Sequence, residues 1–168
     1  MLILSELVDL RKTTVQDLDF VLAAEQDESN RRFIGSWSRE QHASALEDGD
    51  ILHLIVQDKP GAPAGYVIIT GLQDPNRSVN IKRIVVQAKG QGYGTALLPL
   101  LVEWIFTKTD THRLWLDVKD YNARARHVYE GAGFKLEGIL RECVKSGEIF
   151  ESLMIMSILR HEYEQWQL

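Results

Sequence analysis

The fold is decided by one stretch, Ile84-Val85-Val86-Gln87-Ala88-Lys89-Gly90-Gln91-Gly92-Tyr93-Gly94-Thr95-Ala96-Leu97-Leu98, in which an apolar β-branched run leads through alternating glycines into an apolar segment. β-branched residues favour a strand, and the residues after Tyr93 are typical of a buried helix. Gly90, Gly92 and Gly94 allow the backbone to turn tightly and to approach a ligand closely. The stretch therefore predicts a strand, a glycine-rich turn and a helix.

The predicted turn is suited to an anion, because the helix that follows directs free N–H groups and the positive end of its dipole into it. Lys89 adds a positive charge beside it. The ATP/GTP phosphate loop requires Gly-Lys-Ser/Thr, whereas Gly94 is followed by Thr95-Ala96. The dinucleotide fingerprint requires a different glycine spacing. A phosphate or pyrophosphate of another ligand class fits the turn, and a purely structural turn is the alternative.

Outward from this stretch, hydrophobic periodicity predicts a mixed α/β domain built on a central sheet. The predicted order is βααβββαβαββ, a single α/β domain over residues 1–168. Its elements are a strand Leu7–Arg11, a helix from Thr14 to Ala24, a helix Arg39–Leu46, strands Ile51–Gln57, Gly65–Thr70 and Val79–Val86, a helix Tyr93–Phe106, a strand Arg113–Val118, a helix capped by Asn122 and ending near Gly131, and strands Phe134–Leu140 and Phe150–Leu159.

Composition restricts the partners and the compartment. Nineteen basic and twenty-four acidic residues give a net charge of −5, which argues against nucleic acid and is compatible with a cationic acceptor such as an amine. One cysteine, Cys143, cannot form an internal disulfide, as is typical of a reducing compartment. The N-terminus lacks the pattern of a secretion signal, and the apolar run Leu97–Val102 is too short to span a bilayer. We expect a cytoplasmic protein without a membrane partner.

A second informative stretch is Asn122-Ala123-Arg124-Ala125-Arg126-His127-Val128-Tyr129-Glu130-Gly131-Ala132-Gly133-Phe134. Asn122 is a good helix N-cap. Ala125 and Tyr129 are four residues apart and so share one helix face, where the small Ala125 leaves room for a ligand. The stretch predicts a helix that lies along a bound molecule.

Together the two stretches resemble the GNAT family of N-acetyltransferases. Residues 89–94 are similar to its coenzyme A motif Arg/Gln-x-x-Gly-x-Gly/Ala, with Lys89 in place of arginine or glutamine, and residues 122–134 resemble its Asn-x-x-Ala-x-x-x-Tyr-x-x-x-Gly-Phe segment. Further segments are similar to the Rim-type and spermidine-acetyltransferase-like group, namely Arg31–Ile34, Trp37, Glu137–Glu142, Gly147–Glu151 and Met154–Ser157.

The resemblance implies that acetyl-CoA is the co-substrate and that an amine accepts the acetyl group. It implies that the loop amides hold the pyrophosphate, that the strand Ile84–Val86 pairs with the pantetheine arm, and that Tyr129 protonates the departing thiolate. A tyrosine with a pKa near ~10 is a competent donor, although a core tyrosine is the alternative. The implied coenzyme-binding residues are Ile84, Val85, Val86, Lys89, Gly90, Gln91, Gly92, Tyr93, Gly94, Thr95, Asn122 and Ala125. No metal is expected, because the histidines lack ligand spacing and there is no cysteine pair.

The sequence leaves two candidates for the base, Asp117 and a water relay. Asp117 is an acid on a presumed central strand, and some N-terminal acetyltransferases that resemble this chain use an acid at this position as the base. A salt-bridged structural Asp117 is the alternative. Where other members of the family place a catalytic glutamate, this chain has Asn80, which cannot take up a proton.

Several functions stay open at this stage. The acceptor is a protein N-terminus, a polyamine, an aminoglycoside or another small amine. A non-catalytic acyl-CoA-binding module is the rival from another class, and a nucleotide-binding protein is a second rival. A homodimer is expected by analogy with the family alone.

Overall fold

The computed structural model describes residues 2–168 and shows a mixed α/β domain with one central sheet. Its elements are β1 Asp9–Lys12, α1 Leu18–Gln26, α2 Glu28–Arg31, α3 Arg39–Glu47, β2 Ile51–Gln57, β3 Pro63–Thr70, β4 Ser78–Val86, α4 Tyr93–Lys108, β5 Arg113–Lys119, α5 Ala123–Gly131, β6 Lys135–Ser146, β7 Ile149–Leu159 and α6 Arg160–Trp166. The predicted fold class and the glycine-rich turn between β4 and α4 are confirmed.

Two helices were not predicted. Helix α2 is a single turn whose N-cap, Asp27, accepts a hydrogen bond from the Ser29 amide at 2.9 Å. A helix this short shows no hydrophobic period in the sequence. The polar helix α6 depends on tertiary contacts, because the Arg160 guanidinium donates to the carbonyls of Phe106, Thr109 and Thr111 near the end of α4.

Strand β6 is longer than predicted. It continues past Leu140 to Ser146 because a bulge absorbs the residues between Leu140 and Val144, after which pairing with β7 resumes. The two strands form a long hairpin at the end of the sheet, and its turn contains Gly147 at φ 61°.

The strand order is β1-β2-β3-β4-β5-β7-β6. Strands β4 and β5 are parallel and pair over only three positions, from Ser78 opposite Arg113 to Asn80 opposite Trp115. Beyond Asn80, β4 stays paired with β3 as far as Val86, while β5 stays paired with β7. The two strands therefore diverge, and a gap opens between their carboxyl ends.

Apolar side chains cover both faces of the sheet. On one face, Leu97, Leu101 and Ile105 of α4 pack with Leu114 and Leu116 of β5 in the larger cluster. Each such buried side chain contributes about 1.5–3 kcal/mol. On the other face, α1 packs over β2, β3 and β4 in a smaller cluster. The sheet that contains the gap is thus covered by a core on each face.

Among residues 2–168, no helix is long and apolar enough to cross a membrane.

Candidate active site

A cavity of about 640 Å³ lies in the gap between β4 and β5. Its walls are formed by these two strands, the glycine-rich turn, the starts of α4 and α5, and the segment that follows α2. Its position fits the rule that open α/β sheets bind ligands beyond the carboxyl ends of the strands.

The glycine-rich turn has the backbone conformation that the sequence predicted. Gly90 and Gly92 have φ values of 74° and 75°, which side-chain-bearing residues rarely adopt. A Cβ built on either glycine meets no atom within 4 Å, so these glycines serve the backbone conformation and not close packing. Gly92 is the N-cap of α4. The free amides at the start of α4 and the open space around the turn fit a diphosphate.

The side chain of Lys89 lies against α2. Its ammonium donates to Asn30 Oδ1 at 2.5 Å, and the buried Asn30 amide donates to Gln87 Oε1 at 2.7 Å. Gln87 in turn donates to Asp27 Oδ2 at 2.8 Å. Burial lowers the pKa of Lys89, and the nearby charge of Arg124 lowers it further. Lys89 therefore ties the turn to α2.

A free cation at the turn comes from a residue that the sequence analysis did not select. Arg124 lines the cavity, is exposed, and has no ion pair or side-chain hydrogen bond with residues 2–168.

The coenzyme A motif Arg/Gln-x-x-Gly-x-Gly/Ala also fits the sequence in a second register, with Gln91, Gly94 and Ala96 at its three defined positions. Gln91 is exposed outside the cavity wall, whereas the other eleven predicted coenzyme-binding residues line it.

Helix α5 presents its predicted residues to the cavity. Asn122 Oδ1 accepts a hydrogen bond from the Ala125 amide at 3.2 Å and so caps the helix. Ala125 and Tyr129 line the cavity, and the Tyr129 hydroxyl has no hydrogen-bond partner among residues 2–168. Burial, followed by the negative charge of Asp117, raises the pKa of Tyr129 to about 12. The hydroxyl therefore stays protonated at neutral pH and is free to donate.

Asp117 faces the cavity from β5, since Leu116 and Val118 beside it are buried in the core on the other face. It forms no salt bridge within the described part of the chain, which argues against the structural alternative. Burial raises the pKa of Asp117, and the positive charge of Lys82 opposes that effect. Asn80 also lines the cavity, where its amide donates to the Trp115 carbonyl at 3.2 Å.

Phe33 and Ile34, in the segment Arg32–Trp37 that follows α2, line the cavity wall. The Arg32 carbonyl accepts hydrogen bonds from Lys119 Nζ at 3.0 Å and from the Tyr121 hydroxyl at 2.7 Å. These bonds tie the segment to β5 and its end. Phe33 and Ile34 lie in the stretch Arg31–Ile34 that resembles the spermidine-acetyltransferase-like group, but no feature of the sequence predicted that they line the cavity.

Beneath this segment lies a buried polar network that the sequence analysis missed. Glu25 is 1% exposed and accepts hydrogen bonds from Arg83 at 2.6 Å, from the Tyr66 hydroxyl at 2.8 Å and from His42 Nε2 at 2.9 Å. Burial alone would raise the pKa of Glu25, but the donors and the charge of Arg83 outweigh it and lower that pKa. Since Arg83 lines the cavity, Glu25 supports the cavity wall from below.

Two buried histidines extend the network. His42 Nδ1 lies 3.0 Å from His53 Nε2, and His53 Nδ1 lies 2.8 Å from Thr13 Oγ1. One direction of donation satisfies this chain: Thr13 donates to His53, His53 to His42, and His42 to Glu25. Burial lowers the pKa of His53 to about 4, which keeps its ring neutral. The network joins α1, α3, β2, β3 and β4, so only the folded structure brings its members together.

Comparison with known proteins identifies the family. The model of the Acetyltransferase (GNAT) family matches residues 18–134, which include the glycine turn, both walls of the gap and helix α5. The chain belongs to the GNAT acetyltransferase family.

Relatives of this GNAT protein cover nearly its whole length. Spermidine N(1)-acetyltransferase of Escherichia coli (strain K12) is 25% identical over 167 residues, which cover 93% of this chain and 88% of the relative. Among solved structures, the spermidine N-acetyltransferase of Vibrio cholerae in complex with CoA and spermine has a TM-score of 0.84 at 23% identity and covers 94% of this chain and 98% of that one. A dodecameric structure of the same Vibrio enzyme has a TM-score of 0.82 at 22% identity and covers 96% of this chain and 98% of that one.

Family membership and the cavity together define the activity. This GNAT protein is an N-acetyltransferase that uses acetyl-CoA as its co-substrate and a primary amine as its acceptor. The non-catalytic rival and the nucleotide-binding rival are therefore set aside. Within residues 2–168, no group of three or more His, Cys, Asp or Glu side chains is placed to hold a metal ion.

Proposed function

We propose that the protein transfers the acetyl group directly from acetyl-CoA to a small primary amine within the gap between β4 and β5. One observation carries this proposal: the unpartnered Tyr129 hydroxyl and the unpaired Asp117 carboxylate face the same cavity, which begins at the glycine turn. A group that gives a proton and a group that takes one thus face the same cavity. Direct transfer needs both.

Backbone groups would position the acetyl donor. The amides of the turn from Gly90 to Gly94 would hold the diphosphate, with Arg124 as a nearby counter-charge. The edge of β4 from Ile81 to Val86 is not paired with β5, so it is available to the extended pantetheine arm. A backbone N–H near Val85 or Val86 would stabilise the oxyanion. Holding both reactants in one groove contributes up to roughly 7–11 kcal/mol in ideal cases.

Proton transfer would be divided between two side chains. As the amine nitrogen bonds to the thioester carbon, Asp117 takes the amine's proton directly or through a water molecule. When the carbon–sulfur bond breaks, Tyr129 gives its proton to the leaving thiolate. The raised pKa of Asp117 makes this carboxylate a better proton acceptor than an ordinary aspartate. The raised pKa of Tyr129, about 12, keeps its proton available at neutral pH.

The test is Tyr129→Phe, measured by thiol release with a panel of amines that includes N-terminal peptides, spermidine and an aminoglycoside. We expect kcat to fall by about 10²-fold or more, while the Kd for acetyl-CoA measured by calorimetry stays unchanged. Tyr163→Phe is the matched control, because Tyr163 is buried against Phe106 away from the cavity. Equal kcat values in wild type and Tyr129→Phe would refute the acid role.

The assembly and the compartment belong to the same proposal. The hairpin of β6 and β7 exposes a row of large apolar side chains, comprising Leu136, Ile139, Leu140, Ile149 and Phe150. We propose that copies of the chain associate through this hairpin, as a homodimer or a larger homo-oligomer, in the cytoplasm. The dodecameric Vibrio structure supports a multimer. Light scattering of wild type and Ile139→Glu tests it, with a smaller assembly expected for the variant.

A further inference from the structure

The part of the cavity wall formed by β4 around Lys82, β5 around Asp117 and the segment Arg32–Trp37 is here named the acceptor half. Its charged side chains are Lys82, Arg83, Asp117 and Lys119. Arg83 is paired with Glu25 at 2.6 Å, and Lys119 is paired with Glu151 at 3.1 Å. Lys82 and Asp117 have no ion-pair partner within 4 Å among residues 2–168. The acceptor half thus presents one uncompensated cation and one uncompensated anion.

This balance suits a polyamine poorly. A polyamine carries several positive charges at neutral pH, and each charge taken out of water needs a carboxylate or another acceptor. Here one free carboxylate, Asp117, lies beside a free ammonium, Lys82. The exposed Arg32 adds a further positive charge at the mouth, where its guanidinium lies over the Phe33 and Tyr121 rings at 4.9 and 5.4 Å. Like charges this close to a polycation disfavour its binding.

The sheet geometry explains why Lys82 and Asp117 are neighbours. Strands β4 and β5 are in register at Asn80 and Trp115, so two residues further on Lys82 and Asp117 lie across the opening gap. Pairing with β3 skips Lys82, which is the extra residue of a β-bulge. Like Asn80 two residues before it, Lys82 lines the cavity.

Other contacts hold the cationic side of the acceptor half in place. The Trp37 ring lies 5.8 Å from Lys82 Nζ and 5.3 Å from the Arg83 guanidinium. One terminal nitrogen of Arg83 donates to Glu25. The other terminal nitrogen lies close to Gly35, where an added Cβ would be 3.2 Å from it. Arg83 is therefore held rigidly beside Lys82.

We infer that the acceptor is an α-amino acid with an apolar side chain, whose amine faces Asp117 and whose carboxylate faces Lys82 and Arg83. Phe33, Ile34 and Trp115 line the remaining wall and would contact the side chain. This inference rests on the proposed function, since it specifies the amine that the transferase accepts. It departs from the acceptor named for the spermidine acetyltransferases that resemble this chain.

A matched series of acceptors isolates the carboxylate. Phenylalanine, phenylalaninamide and phenethylamine share one ring and one amine, but only the first carries a carboxylate. We expect wild type to acetylate phenylalanine with a kcat/KM at least about 10-fold above that of the amide and of the amine, and also above that of spermidine.

Lys82→Met should remove this preference, so that the ratio between phenylalanine and its amide falls to about one while the Kd for acetyl-CoA is unchanged. Lys82→Arg keeps the charge and should retain the preference, which excludes misfolding as the cause. Lys108→Met is the control, because Lys108 is exposed at the end of α4 and outside the cavity.

Two results would overturn the inference while leaving the proposed function intact. One is a higher kcat/KM for spermidine than for phenylalanine, and the other is an equal loss for all acceptors in Lys82→Met. If acetyl-CoA bound but none of the amines were acetylated, the inference and the proposed function would both be overturned.

Discussion

The two halves of the cavity are built in different ways. The coenzyme half, formed by the glycine turn and the starts of α4 and α5, is made mainly of backbone from two continuous stretches, residues 84–98 and 122–134. The acceptor half is made of side chains that come from β4, β5 and the segment after α2, and the buried Glu25 network supports it. Backbone amides recognise a feature common to many ligands, whereas placed side chains distinguish one ligand from another.

This difference has an energetic counterpart. In the coenzyme half, we expect the binding of acetyl-CoA to be most sensitive to substitutions that change the backbone conformation, as at Gly90 and Gly92. In the acceptor half, Glu25 binds Arg83, Tyr66 and His42 at once, so a single substitution leaves several buried polar groups without partners. The largest effects are therefore expected below the acceptor half.

The first prediction concerns Glu25→Leu. Removing this carboxylate leaves the buried Arg83 uncompensated, and we expect a loss of about 3–5 kcal/mol in the free energy of unfolding, measured by urea denaturation. Because the side chains that Glu25 binds lie outside the glycine turn and α5, any folded fraction should still bind acetyl-CoA.

Glu25→Gln is the matched control, since it keeps an acceptor oxygen but removes the charge. It should cost less than Glu25→Leu. If both variants lost the same stability, the charge and not the hydrogen-bond acceptor of Glu25 would support the acceptor half.

The same division explains what could be predicted from the sequence. The strand, turn and helix around Gly92 depend on neighbours in the chain, and the helix capped by Asn122 has a local signal, so both were predicted correctly. The Glu25–His42 contact joins residues 17 positions apart, and the Glu25–Arg83 contact joins residues 58 apart. Such contacts follow from the sheet order, for which the sequence carries no local pattern. Lys82 was missed because it becomes a neighbour of Asp117 only through the pairing of β4 with β5.

The second prediction concerns Asp117→Asn. Asparagine keeps the size of the side chain but cannot take up a proton, and we expect kcat to fall by about 10²-fold while the Kd for acetyl-CoA stays unchanged. The active form of Asp117 is ionised, so wild-type kcat should decline as the pH falls through its pKa. Because that pKa is raised, the decline should begin at a higher pH than for an ordinary aspartate. The pH profile of kcat for Asp117→Asn should lack this decline at low pH. If the variant showed the same decline, a group other than Asp117 would cause it.

The third prediction tests the coenzyme half with Gly92→Ala. A Cβ at Gly92 meets no atom, so the substitution acts only through its φ of 75°, which costs alanine about 1–2 kcal/mol. Free of ligand, the turn can relax to a conformation that alanine prefers, and binding must then restore the strained one. We therefore expect the Kd for acetyl-CoA to rise by about 10-fold, with no change in the preference among amines.

Gly131→Ala provides the comparison for this prediction, because Gly131 also has open space at its Cβ position but lies in α5 without a positive φ. It should leave the Kd for acetyl-CoA unchanged and slightly stabilise the helix. If both variants bound acetyl-CoA equally well, the left-handed conformation at Gly92 would not be needed for binding. If Gly92→Ala instead altered the ratio of kcat/KM between phenylalanine and its amide, the two halves of the cavity would be coupled. Recognition by the backbone and recognition by side chains could then not be assigned to separate halves.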